Sequence, residues 1–244
     1  MTKMSPLLER ASETLKIEIA GLEGLIERLD AEFEQAVNLL FACQGKVILA
    51  GMGKSGLIAQ KIAATLTSTG TPSLFLHAGE SSHGDLGIIT RQDVVIVFSY
   101  SGETSEVVQM IGHIHAIGVP LIAMTGKPNS TLAKAATVHL SIAVEKEACP
   151  LGLTPTASST ATLALGDALA MCLLELRKFR EDDFAMFHPG GSLGRKLTIK
   201  IKDVMVAGDS LPVVPENMPM REALNVLSSK NLGIVVAVNQ HEKI

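Results

Sequence analysis

The stretch DVVIVFSYSGETSE, residues 93–106, constrains the fold more than any other part of the chain. Val94, Val95, Ile96, Val97 and Phe98 follow one another without a polar interruption. A run of that length and composition reads as a strand buried on both faces, as in a parallel sheet. It stops abruptly in hydroxyls and a glycine, just ahead of a predicted helix. Free N–H groups and the dipole at a helix N-terminus favour an anion. Open α/β sheets take their ligands at the carboxyl edge of the strands. The expectation is a phosphate-sized site there, with Ser99, Ser101 and Thr104 as candidate ligands. In the competing reading these hydroxyls are ordinary helix caps.

The flanking sequence supplies the rest of such a sheet. Residues 46–50, 72–76, 121–124 and 138–144 read as four more strands. Residues 57–67, 104–117 and 160–176 read as helices, and Gly118 with Pro120 stops the second of them. The alternation predicts an α/β fold with an open, five-stranded, mostly parallel sheet and helices on both faces, flavodoxin-like in its winding. Ahead of it, Leu15, Ile19, Leu22 and Ile26, then Phe33, Val37, Leu40 and Phe41, recur at helical spacing. These form an N-terminal helical arm, broken near Asp30-Ala31, for packing or an oligomer contact. Beyond Leu197 the composition shifts to a smaller strand–helix–strand pattern, set apart by Pro189-Gly190-Gly191, Gly194 and the basic pair Arg195-Lys196. The expected division is an arm at 1–42, a main domain at 43–199 and a small unit at 200–244.

Bulk properties narrow the function. A chain of 244 residues, 47% of them hydrophobic, can build one sizeable core with something left over. A formal net charge of −4, scattered basic residues, a single Tyr and no Trp argue against nucleic acid or an anionic membrane as partner. Cys43, Cys149 and Cys172 are odd in number and form no CxxC pair, so neither a disulfide framework nor a structural zinc site is indicated. The N-terminus carries charge throughout, without the apolar core of a signal segment, and no uninterrupted apolar run approaches a membrane span. A soluble, cytoplasmic protein is expected.

Several residues bear on chemistry. Gly51, Gly53 and Gly56 in GMGKSG match the dinucleotide fingerprint, in the right place between strand and helix. That reading needs an acid at the end of the second strand for a ribose hydroxyl, and here the strand ends Phe75-Leu76-His77, with no acid before Glu80. A phosphate-binding P-loop fails too, because its first glycine would fall on Ile48. What remains is an anion-facing loop with Lys54 toward the ligand, against a tight turn that merely joins strand to helix. Glu103 and Glu106 read as first-turn carboxylates of the next helix. Dipole stabilisation is the favoured role for Glu103, whereas Glu106 could equally face the pocket. His77 and His83 flank AGESS; two histidines suit substrate hydrogen bonding or acid–base work at least as well as a metal. Glu147 follows the fifth strand and so belongs to the same sheet edge, although a charge run such as 145–147 is usually solvated. His188 precedes Pro-Gly, where a lone histidine is usually only a loop residue.

Taken together, GMGKSG, STGTPSLFLHAGESSHGDLG, SYSGETSE, MTGKP, EKEACPLGLTPTASSTATLALGDALA and FHPGGSLGRKL resemble the sugar isomerase (SIS) domain of arabinose-5-phosphate isomerases over residues 40–200. The segment from 201 resembles the first half of the paired CBS module that follows it, and the chain stops inside that first repeat. The resemblance implies interconversion of D-ribulose 5-phosphate and D-arabinose 5-phosphate through an enediolate, for the sugar acid Kdo of lipopolysaccharide or capsule. It implies Lys54, Glu106, Glu147 and His188 as the catalytic set, and Ser99, Ser101 and Thr104 as phosphate ligands. Ser55 joins the substrate contacts. Gly70, Thr71, His77 and His83 are implied in the same way. No cofactor is required, and His77 is the position at which the resemblance implies an inhibitory zinc ion. A homotetramer is implied, with His188 completing a neighbour's site. The other readings are a phosphosugar-sensing module without turnover and an isomerase of another phosphosugar.

Overall fold

The computed structural model describes residues 5–188 and 199–239. The segment Pro189-Gly190-Gly191, with Gly194 and Arg195-Lys196, lies outside the described residues. The chain falls into two compact units, 1–188 and 189–244.

The first unit is organised on five parallel strands in the order β2-β1-β3-β4-β5. They are β1 (Val47–Gly51), β2 (Ser73–His77), β3 (Val94–Phe98), β4 (Leu121–Thr125) and β5 (Val138–Ser141). Every residue of β1, β3 and β4 is buried, as the unbroken apolar runs require of central parallel strands. Gly51 lies level with both His77 and Phe98, Phe98 with Met124, and Thr125 with Ser141. The carboxyl ends of all five strands therefore form one edge. The fifth strand is shorter than the sequence pattern suggests. Ile142 still donates to the Thr125 carbonyl at 2.9 Å, but the Val144 N–H turns to the Tyr100 hydroxyl instead of a neighbouring strand.

One face of the sheet is covered by α1 (Pro6–Glu27), α2 (Ala31–Ala42), α3 (Gly53–Ser68) and α6 (Ala157–Leu176). Leu25, Leu40, Ile62 and Leu169 pack there against Leu49, Ile96 and Ile122. The arm breaks where expected, with the Asp30 carboxylate accepting from the Glu32 N–H at 2.9 Å to cap α2. The other face carries α4 (Ser105–Ile117), the short α5 (Thr131–Ala135) and 3-10 turns at Ala78–His83 and Asp85–Ile88. α6 is the only described helix long and apolar enough to cross a membrane by composition. It is a core helix instead, with Ala161, Leu165, Leu169 and Leu173 buried in the layer beside the sheet. After it, α7 (Glu181–Phe187) closes the unit.

The second unit holds β6 (Val213–Pro215) paired in parallel with β7 (Val236–Val238). A helix, Met220–Lys230, lies between them in the chain.

Candidate active site

In the strand order β2-β1-β3, the chain leaves β1 toward one side and returns for β3 on the other. That is the topological switch point, where open α/β sheets leave a crevice at their carboxyl edge. Two helices start beside it from opposite faces, α3 after β1 and α4 after β3. In neither does the N-cap residue's side chain bond the N-terminal N–H groups.

α3 begins at Gly53, so Lys54 and Ser55 form its first turn rather than a loop. The apolar periodicity on which the sequence reading relied begins only at Ile58, which is why it started the helix too late. The early start depends on close backbone approach. A Cβ on Gly51 would stand 3.0 Å from the Gly56 nitrogen, and one on Gly56 would stand 3.0 Å from the Gly51 carbonyl. Gly51 and Gly56 of the fingerprint thus serve helix–strand packing, while Gly53 turns the chain into the helix at φ +55°. Lys54 is exposed and forms no ion pair among the described residues. Its ammonium and the free N–H groups of the turn make this end of the helix cationic.

The segment after β3 closes on itself. The Ser99 hydroxyl lies 2.9 Å from the Thr104 hydroxyl and accepts from the Gly102 N–H at 3.1 Å. Ser101 accepts from the Glu103 N–H at 3.2 Å. The cap-like bonding is thus present, and the hydroxyls gather around the start of α4. Glu103 precedes α4 and does not serve its dipole; its carboxylate accepts from the Thr131 N–H at 2.7 Å, at the start of α5. Glu106 is in the first turn of α4. Its carboxyl is held below the usual range by its own backbone N–H and by the Ser105 hydroxyl at 2.8 Å.

Glu147 sits at a third helix start. One carboxylate oxygen accepts from the Thr156 N–H at 2.7 Å, the Thr156 hydroxyl at 2.9 Å and the Ser158 N–H at 3.3 Å. Burial pushes this carboxyl up, but the bonds from Ser158 and Thr156 together outweigh it and hold the group below the usual glutamate range. α6 runs alongside α3 in the same direction: Gly166 packs on Ile62 midway, and Arg177 just past the end of α6 donates to Thr71 just past the end of α3. Counting back equally along both helices brings Lys54 and the Glu147-capped end of α6 level. Both helix starts therefore lie at the carboxyl edge of the sheet, Lys54 on one and the carboxylate that caps the other fixed by its hydrogen bonds. The charge run 145–147 is thus not simply solvated, because Glu147 is partly buried. Close by, the Cys149 thiol is lowered to about 7 by hydrogen bonds from Thr154, Leu153 and Leu151.

His77 ends β2 level with Gly51 and so joins this edge. Its Nδ1 is buried without a hydrogen-bond partner among the described residues. His83, at the end of the adjoining 3-10 turn, is exposed. No three His, Cys, Asp or Glu side chains converge among the described residues. A lone imidazole does not fit a resident zinc ion.

Gly70, Thr71 and His188 are not brought to this edge within the chain, contrary to a single-subunit reading of the site. Gly70 and Thr71 precede β2 whereas His77 ends it, a separation of about 20 Å along a strand. Each has a local structural part: Thr71 accepts from Arg177 Nε at 2.9 Å, and a Cβ on Gly70 would meet the Phe179 ring. Phe179 stacks on Phe187, with centroids 5.7 Å apart. His188 follows directly, stacked on Phe184 with its Nδ1 2.9 Å from the Phe184 carbonyl. These three residues share the opposite, amino-edge end of the molecule. Sequence reasoning missed Thr156 and Ser158, which fix Glu147; an S/T-rich start to an apolar helix was the available signal.

Comparison with known proteins identifies the family. Residues 40–172 match the SIS domain. The chain is 50% identical over 236 residues to arabinose 5-phosphate isomerase KdsD of Escherichia coli K12, covering 97% of this chain and 72% of that one. The KdsD of Pseudomonas aeruginosa is 48% identical over 244 residues, spanning all of this chain and 75% of its own. The chain belongs to the arabinose 5-phosphate isomerase family of SIS-domain proteins. Among solved structures, an Escherichia coli CFT073 protein in complex with arabinose 5-phosphate superposes with a TM-score of 0.74 at 42% identity, over 77% of this chain and all of that one. The SIS sheet is wholly parallel here, where the sequence pattern required it only to be mostly so.

Proposed function

We propose that the chain interconverts D-ribulose 5-phosphate and D-arabinose 5-phosphate, supplying Kdo synthesis for lipopolysaccharide or capsule. The observation that carries this reading is the placement of Lys54, the Ser99–Thr104 hydroxyls and Glu147 beyond the carboxyl ends of β1, β3 and β5, in a chain whose relatives are arabinose 5-phosphate isomerases. The phosphate sits against Ser99, Ser101, Thr104 and the first turn of α4, with Ser55 beside it, and acts as a handle far from the reacting carbons. An ionised carboxylate, Glu147 or Glu106, takes the proton from the carbon next to the carbonyl and returns it to the neighbouring carbon. Glu147 is the better fixed of the two. Lys54 stabilises the enediolate oxygen as charge develops there. A histidine, His77 or His83, opens the sugar ring. The step moves protons without net oxidation, and Lys54 supplies the charge at the oxyanion, so as written it calls on no nicotinamide, flavin or metal.

In the same proposal the enzyme is a cytoplasmic homotetramer in which His188, Gly70 and Thr71 serve a neighbouring subunit's site. Their shared place at the amino-edge end supports this. The domain limits are 1–42, 43–199 and 200–244, the last being the first half of a CBS pair; its β6–helix–β7 order supports that assignment.

The test is incubation of the purified protein with ribulose 5-phosphate while following arabinose 5-phosphate. Lys54→Ala is expected to lower kcat by about 10²–10³. Full activity in that variant, or saturable binding of arabinose 5-phosphate without turnover, would overturn the assignment.

A further inference from the structure

Tyr100 stands between two proposed phosphate ligands, yet its side chain is turned away from them. The ring packs against the apolar layer shared by α1, α2, α3 and α6. It lies across Gly126 at the end of β4, where a Cβ would come within 2.6 Å of it. The Tyr100 carbonyl accepts from the Gly126 N–H at 2.9 Å. Its hydroxyl reaches on, past β4, to accept from the Val144 N–H at 3.3 Å. Val144 lies three residues before Glu147. The same loop is held from the arm by Arg28 Nη2, which donates to the Ala143 carbonyl at 2.6 Å.

We infer that Tyr100 is a positioning residue that ties the phosphate loop to the loop carrying Glu147, so that seating the phosphate also sets the carboxylate. The inference rests on Glu147 acting in the proposed isomerisation. Its chemical logic is that binding energy gathered at a remote phosphate accelerates the reaction only if it is realised in the geometry of the reacting groups. One side chain bridging β3, β4 and the β5–α6 loop supplies a rigid route between them.

The discriminating variant is Tyr100→Phe, which keeps the ring against Gly126 and removes only the hydroxyl. Expected is a fall in kcat on the order of tenfold, since small displacements of reacting groups carry such losses, with KM for ribulose 5-phosphate unchanged. The substrate-deuterium effect on kcat should rise, because proton transfer becomes more fully rate-limiting. Gly126→Ala, which displaces the ring, should give the same split between kcat and KM, and serves if the first variant folds poorly. A merely structural tyrosine would instead lower the melting temperature and leave kcat and the isotope effect of the folded fraction as in the parent. That outcome, or a loss seen only in KM, overturns this inference while leaving the proposed function standing if the parent chain and Glu147→Gln behave as expected. A parent chain without turnover overturns both.

Discussion

Glu147 carries the sharpest residue-scale expectations. Glu147→Gln keeps an oxygen for Thr156 and Ser158 but removes the base, so kcat should drop by about 10²–10⁴ with the fold intact by circular dichroism. Because hydrogen bonds hold both Glu147 and Glu106 below the usual range, each stays ionised as pH falls past the ordinary glutamate value of about 4.3. The carboxylate's own acid limb should therefore lie below that pH, apart from the substrate phosphate's ionisation at about 6, and it should vanish from the residual activity of Glu147→Gln if Glu147 is the base. Asp93 makes a separate stability prediction. It is 1% exposed, and burial raises its carboxyl. The Lys46 and Thr90 N–H groups at 2.7 and 2.8 Å, with the Lys46 ammonium, more than offset this. A carboxyl lowered by folding contributes stability above its unfolded value, about 3.9, and loses it as pH falls through the folded one. Asp93→Asn should cost about 1–3 kcal/mol at pH 7, and melting curves of parent and variant should converge at low pH. At this scale the sequence was informative where chemistry abuts a strong pattern. Ser99, Ser101 and Thr104 stood out because they end an unbroken apolar run. Thr156, Ser158 and Tyr100 did not, because their partners, Glu147 and the Val144 N–H, are reached across loops that have no period to read.

At the scale of elements, the site is an assembly of helix beginnings. α3, α4 and α6 all start at the carboxyl edge, and the sequence placed their existence and order correctly. Their first residues were harder. α3 starts at Gly53 and α6 at Ala157, each ahead of the first clear apolar period, since glycine contacts in one case and a capping carboxylate in the other extend the helix into a polar stretch. Those extensions are what put Lys54 and the Glu147 cap in place. The sheet was more legible than its connections, because burial on both faces leaves an apolar run that needs no knowledge of neighbours. The short α5 and α7 were not read at all; five and seven residues hold too few turns for a periodicity.

For the whole molecule, the two ends of the sheet divide the proposed labour. Lys54 and Glu147 lie at one end, and His188, Gly70 and Thr71 at the other. The proposed completion of the site across subunits can be checked by mixing. Lys54→Ala and His188→Ala tetramers, each inactive alone, should regain up to about a quarter of parental turnover after co-expression, if each functional site needs one intact half from each chain. Unchanged inactivity in verified mixed tetramers would place His188 in its own subunit's chemistry or in folding.

The strand order has a further effect, on how the chain is made. β1 sits between β2 and β3, so it lacks a full set of partners until residue 98 has left the ribosome. The layer over its face stays open until α6, nearly sixty residues later. Until α6 emerges the nascent chain therefore leaves uncovered the face of α3 at Ile62, on which Gly166 later packs, a surface that invites holding chaperones. A chain ended at residue 156 should partition into the insoluble fraction, whereas one ended at residue 188 should stay in solution.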